Sequence, residues 1–200
     1  MGLAHIQQGL AQLYTNAHVR ERFFADPHAV GETWGLNPDE AGVLAQLSAQ
    51  QVNVFARALQ HKRLSEVRTI LPLTHRVLGK RFASLLMGYV ETHLPYGIKK
   101  QREDALAFAA YIEQVDRRER VEPPWAVELA RYEAACVKAA DPTCRWVVRW
   151  FRHPVATWVP ALAQGDDPST PRKQPTLAVW VRLPKRGPLR HVVLALPRLL

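Results

Sequence analysis

The stretch "CRWVVRWF", residues 144–151, decides the fold class, because here the chain changes from helical to strand-like patterning. Two later stretches, "TLAVWVRL" at 176–183 and "LRHVVLAL" at 189–196, are similarly rich in strand-forming residues. The turn-forming "PKRGP" at 184–188 separates them. Together these stretches predict a small antiparallel sheet. The polar, Pro-rich "ALAQGDDPSTPRKQP" at 161–175 is predicted to be a long mobile connection between the first two strands.

The residues before this point predict helices. Apolar residues recur at helical spacing from Leu3 to Leu13, and Asn37 with Glu40 has the spacing of a capping box around a Pro at the first helical position. Ser48 with Gln51 suggests a second capping box, and Asp26 can cap a short helix that Gly35 would end. The sequence therefore predicts an α+β chain, with a bundle of about six helices at 1–140 and a small basic antiparallel sheet domain at 143–200.

Positive charge is concentrated in the predicted sheet domain. Residues 141–200 hold 10 Lys and Arg against 3 Asp and Glu, whereas residues 1–140 hold 17 against 15. Such a surface attracts an acidic partner, which is a phosphate backbone, an acidic peptide or an acidic protein face. The alternative is a surface that serves only solubility.

Motifs of catalysis and of metal binding are missing from the sequence. The eight histidines form no HExxH motif, the cysteines Cys136 and Cys144 form no CxxC pair, and neither a P-loop nor a GxSxG elbow occurs. Cys136 lies within a predicted helix among apolar residues, where a thiol tends to be inert. We therefore predict a binding protein that is not an enzyme, with no catalytic residue, no metal and no cofactor.

The first strand offers the first candidate binding residues. Arg145 and Arg149 lie on one side of a regular strand, where they favour acidic side chains or phosphates, and Trp146 and Trp150 add apolar contact. Surface arginines that serve only solubility are the alternative. For the tryptophans, two alternatives remain open: the rings cover a small core, or they stack on nucleic-acid bases. If this strand lies at a sheet edge, an extended peptide can bind it by strand addition.

A second candidate patch lies in "HLPYGIKKQREDALAFAAY", residues 93–111. Lys99, Lys100 and Arg102 precede the apolar face of a predicted helix, where positive charge opposes the helix dipole. Glu103 and Asp104 lie within reach of this charge, so a solvated helix face is the alternative to a binding patch.

Membrane insertion and secretion are not predicted. The sequence has no run of about 18 apolar residues, and its start lacks the charge and apolar pattern of a signal peptide. We expect a cytoplasmic protein with no membrane partner.

Four stretches, in this order, resemble a known family. They are "FFADPHAVGETWGLNPDEAGVLAQL" (23–47), "FARALQHKRLSEVRTILPLTHRVLG" (55–79), "FASLLMGYVETHLPYGIKKQREDALAFAAYI" (82–112) and "PPWAVELARYEAAC" (123–136). Their order is similar to that in the helical partner proteins of multinuclear non-haem iron oxidases, of the methanobactin-biosynthesis partner type. It also resembles a group of uncharacterised actinobacterial proteins. The resemblance covers roughly residues 20–135.

This resemblance implies a non-catalytic accessory subunit that binds a TIM-barrel iron oxidase and recognises a ribosomally made precursor peptide. It implies a helical part and a terminal sheet that recognises the peptide, with the iron ligands in the oxidase. Members of the wider family have also been labelled as DNA-binding, so a nucleic-acid-binding protein is the alternative function.

Overall fold

The computed structural model describes residues 2–93, 100–166, 173–183 and 187–197. Within these ranges the elements follow in this order: α1 (Gly2–Thr15), α2 (Ala17–Ala25), α3 (Pro27–Thr33), α4 (Pro38–Ala45), α5 (Ala49–Ile70), α6 (Pro72–Leu78), α7 (Lys80–Val90), α8 (Lys100–Arg118), α9 (Ala126–Ala140), β1 (Trp146–Phe151), α10 (Val155–Gln164), β2 (Thr176–Arg182) and β3 (Leu189–Ala195). Helices precede a three-stranded antiparallel sheet, which confirms the predicted α+β class.

Polar caps set the boundaries of the N-terminal helices. The side chain of Asn37 accepts a hydrogen bond from the N–H of Glu40, and the Glu40 carboxylate accepts one from the N–H of Asn37, both at 2.9 Å. Asp26 caps α3 through the N–H of Ala29. The Ser48 hydroxyl accepts from the N–H of Gln51 at 3.4 Å. These caps confirm the helix starts that the sequence predicts at 26, 37 and 48.

The described residues form two compact units, one of Met1–Ser65 and Leu86–Leu94 and the other of Glu66–Leu85 and Pro95–Leu200. The predicted boundary at 140–143 falls where helix gives way to strand. That it separates two domains stays a prediction.

The first unit has its own apolar core. The buried members of this core are Leu13, Phe23, Val30, Leu36, Ala41, Leu44 and Val52. The ring of Phe23 stacks on that of Trp34 with centroids 5.4 Å apart. At Gly31 a Cβ would lie 2.9 Å from the Cβ of Ala41, so a glycine is needed where α3 and α4 approach.

In the second unit, α9 and α10 share a core with the sheet. The buried members are Trp125, Leu129, Ala135, Ala139, Val147, Phe151, Val155, Trp158, Val159, Leu162, Ala178 and Trp180. Trp180 is 2% exposed, and its ring stacks on His191 with centroids 4.5 Å apart. β1 and β2 bury one face against these helices and expose the other, which is the alternation of a half-buried antiparallel sheet. β3 is largely exposed, with Val193 partly buried.

Two details of the sequence prediction are wrong. The helices of the described residues outnumber the predicted six, because the break at Gly79 between α6 and α7 was not predicted and α10 was missed. The segment 161–175 was predicted as a connection throughout, but residues 161–164 belong to α10. Apolar residues of α10 at helical spacing, Val155, Trp158, Val159 and Leu162, pack into the core in spite of Pro160 inside the helix. Residues 167–172 of the segment lie outside the described residues.

Candidate functional site

Strand β1 lies at one edge of the sheet, whose order is β1-β2-β3. The N–H of Arg182 donates to the carbonyl of Arg145 at 2.8 Å, so these two residues form a hydrogen-bonded pair. Arg149 and Ala178 pair four residues further along each strand and are therefore a pair of the same kind. Because main-chain groups alternate along an antiparallel strand, those of the even-numbered residues of β1 point away from β2. The position at an edge, which the sequence could only assume, is thus a feature of the structure.

Three main-chain donors lie along this free edge. The N–H groups of Trp146, Val148 and Trp150 point outward, and within the described ranges they have no hydrogen-bond partner. The outward carbonyls are partly occupied: Arg149 Nη1 donates to the carbonyl of Val148 at 2.9 Å, and Cys144 Sγ lies 3.5 Å from that of Trp146. An edge with unpaired donors is a template for a further strand.

The two faces of β1 carry different side chains. Trp146 and Trp150 lie on the outer face and are 69% and 50% exposed. Arg149 lies on the other face with the buried Val147 and Phe151. An added strand would therefore meet indole rings on one face and a guanidinium on the other.

The two tryptophans of β1 do not cover the core. Trp146 and Trp150 are exposed, whereas Trp158 of α10 and Trp180 of β2 are buried. The interpretation as core residues is therefore wrong for Trp146 and Trp150.

The outer face of the sheet is apolar across all three strands. Val148 pairs with Val179, which pairs with Val192, and Trp150 pairs with Leu177. Val192 and Leu194 on β3 are about half exposed. Contiguous apolar surface of this kind is typical of an interaction surface.

An open groove of about 440 Å³ lies beside β1, α8 and α9, and we call it the edge groove. Arg102 and Arg149, which the sequence places in separate candidate patches, both line it. Its other lining residues are Glu103, Leu106, Ala109, Ala110, Glu113, Arg131, Ala134, Ala135, Lys138, Asp141, Thr143 and Cys144. Small apolar side chains thus lie between charged ones, a lining that can accept a peptide with alternating character.

The cations of the edge groove differ in how they are engaged. Arg102 forms an ion pair with Asp141 and donates to the carbonyls of Val137 and Lys138 near the end of α9, both at 3.3 Å. Arg131 lies 3.7 Å from the carboxylate of Glu113. Arg149 and Lys138, by contrast, form no ion pair with any residue that the structure describes. These two cations are the ones available to an acidic ligand.

The second candidate patch is described only in part. Lys99 lies outside the described residues, and so does the side chain of Lys100. Arg102 is tied to the end of α9, where a cation stabilises the last carbonyls of a helix. Arg145 lies just before β1 with an exposed side chain. Its main-chain carbonyl accepts a hydrogen bond from the N–H of Arg182 in β2.

Two buried carboxylates on α9 position the neighbouring elements, and the sequence analysis missed both. Glu128 accepts hydrogen bonds from the N–H groups of Arg152 and His153 at 2.9 and 3.1 Å and from His153 Nδ1 at 2.7 Å. It thereby fixes the end of β1. The only signal in the sequence is an acidic residue on an otherwise apolar helix face.

Glu133 holds the start of α6. Its carboxylate accepts from the N–H of Leu73 at 2.9 Å, from the N–H of Thr74 at 2.8 Å and from the Thr74 hydroxyl at 2.6 Å. The two N–H groups lie in the first turn of α6, where the helix itself offers them no acceptor. Burial raises the pKa of Glu133 above its ordinary value, against the effect of these hydrogen bonds.

The thiol of Cys136 fits the predicted inert state. Burial raises its pKa, which keeps the thiol protonated and weakly nucleophilic. Burial also raises the pKa of the neighbouring Tyr132. Among the residues that the structure describes, no group of three or more His, Cys, Asp or Glu side chains is placed to hold a metal ion. The predicted absence of metal and cofactor stays a prediction.

None of the helices in the described ranges has the length and apolar character needed to span a bilayer.

Comparison with known proteins gives a partial similarity. A search of curated proteins finds no match to the chain. Residues 45–114, about a third of the chain, match the model of the SCO6045-like C-terminal domain family. The matched residues run from the end of α4 into α8. The chain is therefore similar over this segment to the SCO6045-like C-terminal domains, which are of the uncharacterised actinobacterial type, and the link to iron-oxidase partners stays a prediction.

Proposed function

We propose that the protein is a non-catalytic peptide-recognition subunit that binds an extended acidic peptide as a fourth strand along β1. The observation that carries this proposal is the row of unpaired N–H groups at Trp146, Val148 and Trp150. Strand addition gains affinity from main-chain hydrogen bonds and selectivity from alternate side chains. The edge groove supplies the second requirement, because it provides space and charge directly beside this edge.

The side chains around the edge define the peptide that fits best. Its residues on the outer face would be apolar, because they extend the surface formed by Trp146 and Trp150. Its residues on the other face would be small or acidic, because they meet Arg149 and Lys138 above alanines of the edge groove. We therefore propose a ligand with alternating apolar and acidic residues.

The proposal of an accessory role rests on the resemblance of residues 20–135 to the helical partner proteins of iron oxidases. We propose that the bound peptide is a ribosomally made precursor and that the partner is a TIM-barrel iron oxidase, which performs the chemistry. The exposed apolar face of the sheet supports a protein partner, because it remains uncovered by the described residues.

The backbone test is Val148→Pro. Proline removes one outward donor and adds a ring at the edge, yet edge strands tolerate it where the N–H faces solvent. We expect affinity for a peptide selected from a displayed library of random twelve-residue sequences to fall by about tenfold or more, which corresponds to about 1.4 kcal/mol. The measurement is isothermal titration calorimetry.

Val148→Ala is the matched control, since it keeps the N–H. Its affinity for the peptide should stay within about twofold of that of the wild type. Circular dichroism checks that both variants retain the wild-type fold. Arg149→Glu should weaken the same peptide further if it is acidic. The proposal fails if no peptide is selected, or if folded Val148→Pro binds as tightly as the control.

Nucleic-acid binding is the second candidate, because exposed indoles beside arginines can stack on bases. Stacking does not require the edge N–H groups. This alternative would be favoured by one result. Single-stranded DNA would bind the wild type and Val148→Pro equally, but would bind Trp146→Ala and Trp150→Ala more weakly.

A further inference from the structure

A second cavity, of about 640 Å³, lies beyond the C-terminal end of β1 and is named here the basic cleft. It is bounded by the end of α8, the start of α9 and the residues after β1. The lining residues are Glu113, Asp116, Arg117, Arg120, Pro124, Trp125, Val127, Glu128, Arg131, Arg152, His153 and Lys173. Its volume lies in the range of small-molecule sites, about 300–1,000 Å³.

The acidic side chains of the basic cleft are already engaged. Glu113 lies near Arg131 at 3.7 Å, and Asp116 accepts a hydrogen bond from the N–H of Val121 at 2.9 Å. Glu128 is held by the main chain and ring of His153. These three carboxylates face five lining cations, Arg117, Arg120, Arg131, Arg152 and Lys173, so the lining carries a net positive charge.

Four cations of the cleft have no such partner. Within the described part of the chain, Arg117, Arg120, Arg152 and Lys173 form no ion pair. Like charges gathered around one cavity repel one another, and an anion bound between them removes this repulsion. Guanidinium groups are moreover suited to oxyanions, because they donate two parallel hydrogen bonds to a carboxylate or phosphate.

The mostly buried ring of His153 also lines the cleft. His153 is 8% exposed and lines the cavity, and its Nδ1 is bound to Glu128 at 2.7 Å. Its Nε2 forms no hydrogen bond with the residues that the structure describes. The carboxylate fixes the orientation of the ring, so that Nε2 is available to a ligand.

We infer that the basic cleft binds a polyanionic ligand through its phosphate or carboxylate oxygens. Arg117, Arg120, Arg152 and Lys173 supply the charge, and His153 supplies a polar contact through Nε2. This inference does not rest on the proposed function, because it uses no atom of the β1 edge. The oxyanions have two sources, a free phosphate compound or adjacent acidic side chains of a peptide.

The test is isothermal titration of the full chain with two probes, inorganic pyrophosphate and a tetraglutamate peptide, at one ionic strength. We expect at least one probe to bind, and the double variant Arg120→Gln, Arg152→Gln to lower its affinity by about tenfold or more. The matched control is Arg190→Gln, which removes an exposed cation on β3 and should leave affinity within about twofold.

The two probes separate the sources of the ligand. Pyrophosphate binding that depends on Arg120 and Arg152 assigns the cleft to free phosphate compounds. If only the binding of tetraglutamate depends on Arg120 and Arg152, the cleft is assigned to acidic side chains of a peptide. The inference is overturned if neither probe binds, or if the cleft variant and Arg190→Gln bind alike while both keep the wild-type circular dichroism. Val148→Pro leaves the cleft unchanged, so either proposal can fail alone.

Discussion

Trp180→Ala is expected to lower the free energy of unfolding by about 3–5 kcal/mol. Trp180 occupies the central strand and is 2% exposed, and its ring contacts those of His191 and Tyr132 at centroid distances of 4.5 and 5.5 Å. Alanine would leave a large cavity between the sheet and α9, which the surrounding residues can only partly fill. Urea unfolding followed by circular dichroism measures the change.

Trp150→Ala is the control for this prediction. Trp150 belongs to the same sheet but lies on the outer face and is 50% exposed, so its removal should cost well under half as much. Equal losses for the two variants would show that the outer face is as well packed as the inner one, contrary to the exposed interaction surface that we infer.

Glu133→Ala is expected to lower the free energy of unfolding by about 3 kcal/mol or more, since each buried donor left without an acceptor costs about 1–3 kcal/mol. The lost carboxylate accepts from the N–H groups of Leu73 and Thr74 and from the Thr74 hydroxyl. Unfolding in urea gives the total loss. Amide exchange at Leu73 and Thr74 should become faster in the folded state.

Glu133→Gln is the matched variant, because it keeps one acceptor oxygen and resembles the protonated acid. Burial raises the pKa of Glu133, so its contribution to stability is complete below the unfolded-state pKa and is lost as the pH rises through the folded-state pKa. The Gln variant should lack this pH dependence. A wild-type pH profile identical to that of Glu133→Gln would contradict this account.

The sequence predicts those features of the fold that depend on local chemistry. The caps at Asp26 and Asn37 depend on residues within three positions, and the strands depend on runs of Val and Trp. α10 was missed, because Pro160 and the polar, Pro-rich stretch that begins near its C-terminal end conceal the apolar spacing of Val155, Trp158 and Leu162. There, burial in the core outweighs local propensity.

The candidate site depends on contacts that local patterns do not encode. Nothing in the order of residues indicates that Arg102 and Arg149 line one groove, because the approach of α8 to β1 is a property of the tertiary structure. The free edge of β1 likewise follows from the strand order, which three similar strand patterns leave open. Glu128 and Glu133 were missed because an isolated acid on a helix usually faces solvent.

Amide hydrogen exchange along β1, with and without the selected peptide, tests the account most directly. In the free protein the outward amides of Trp146, Val148 and Trp150 should exchange fast, and those of Val147 and Arg149, which face β2, should exchange slowly. Saturating peptide should slow the three outward amides and leave the inward ones unchanged. If the peptide binds and the outward amides exchange as fast as before, strand addition at this edge is contradicted.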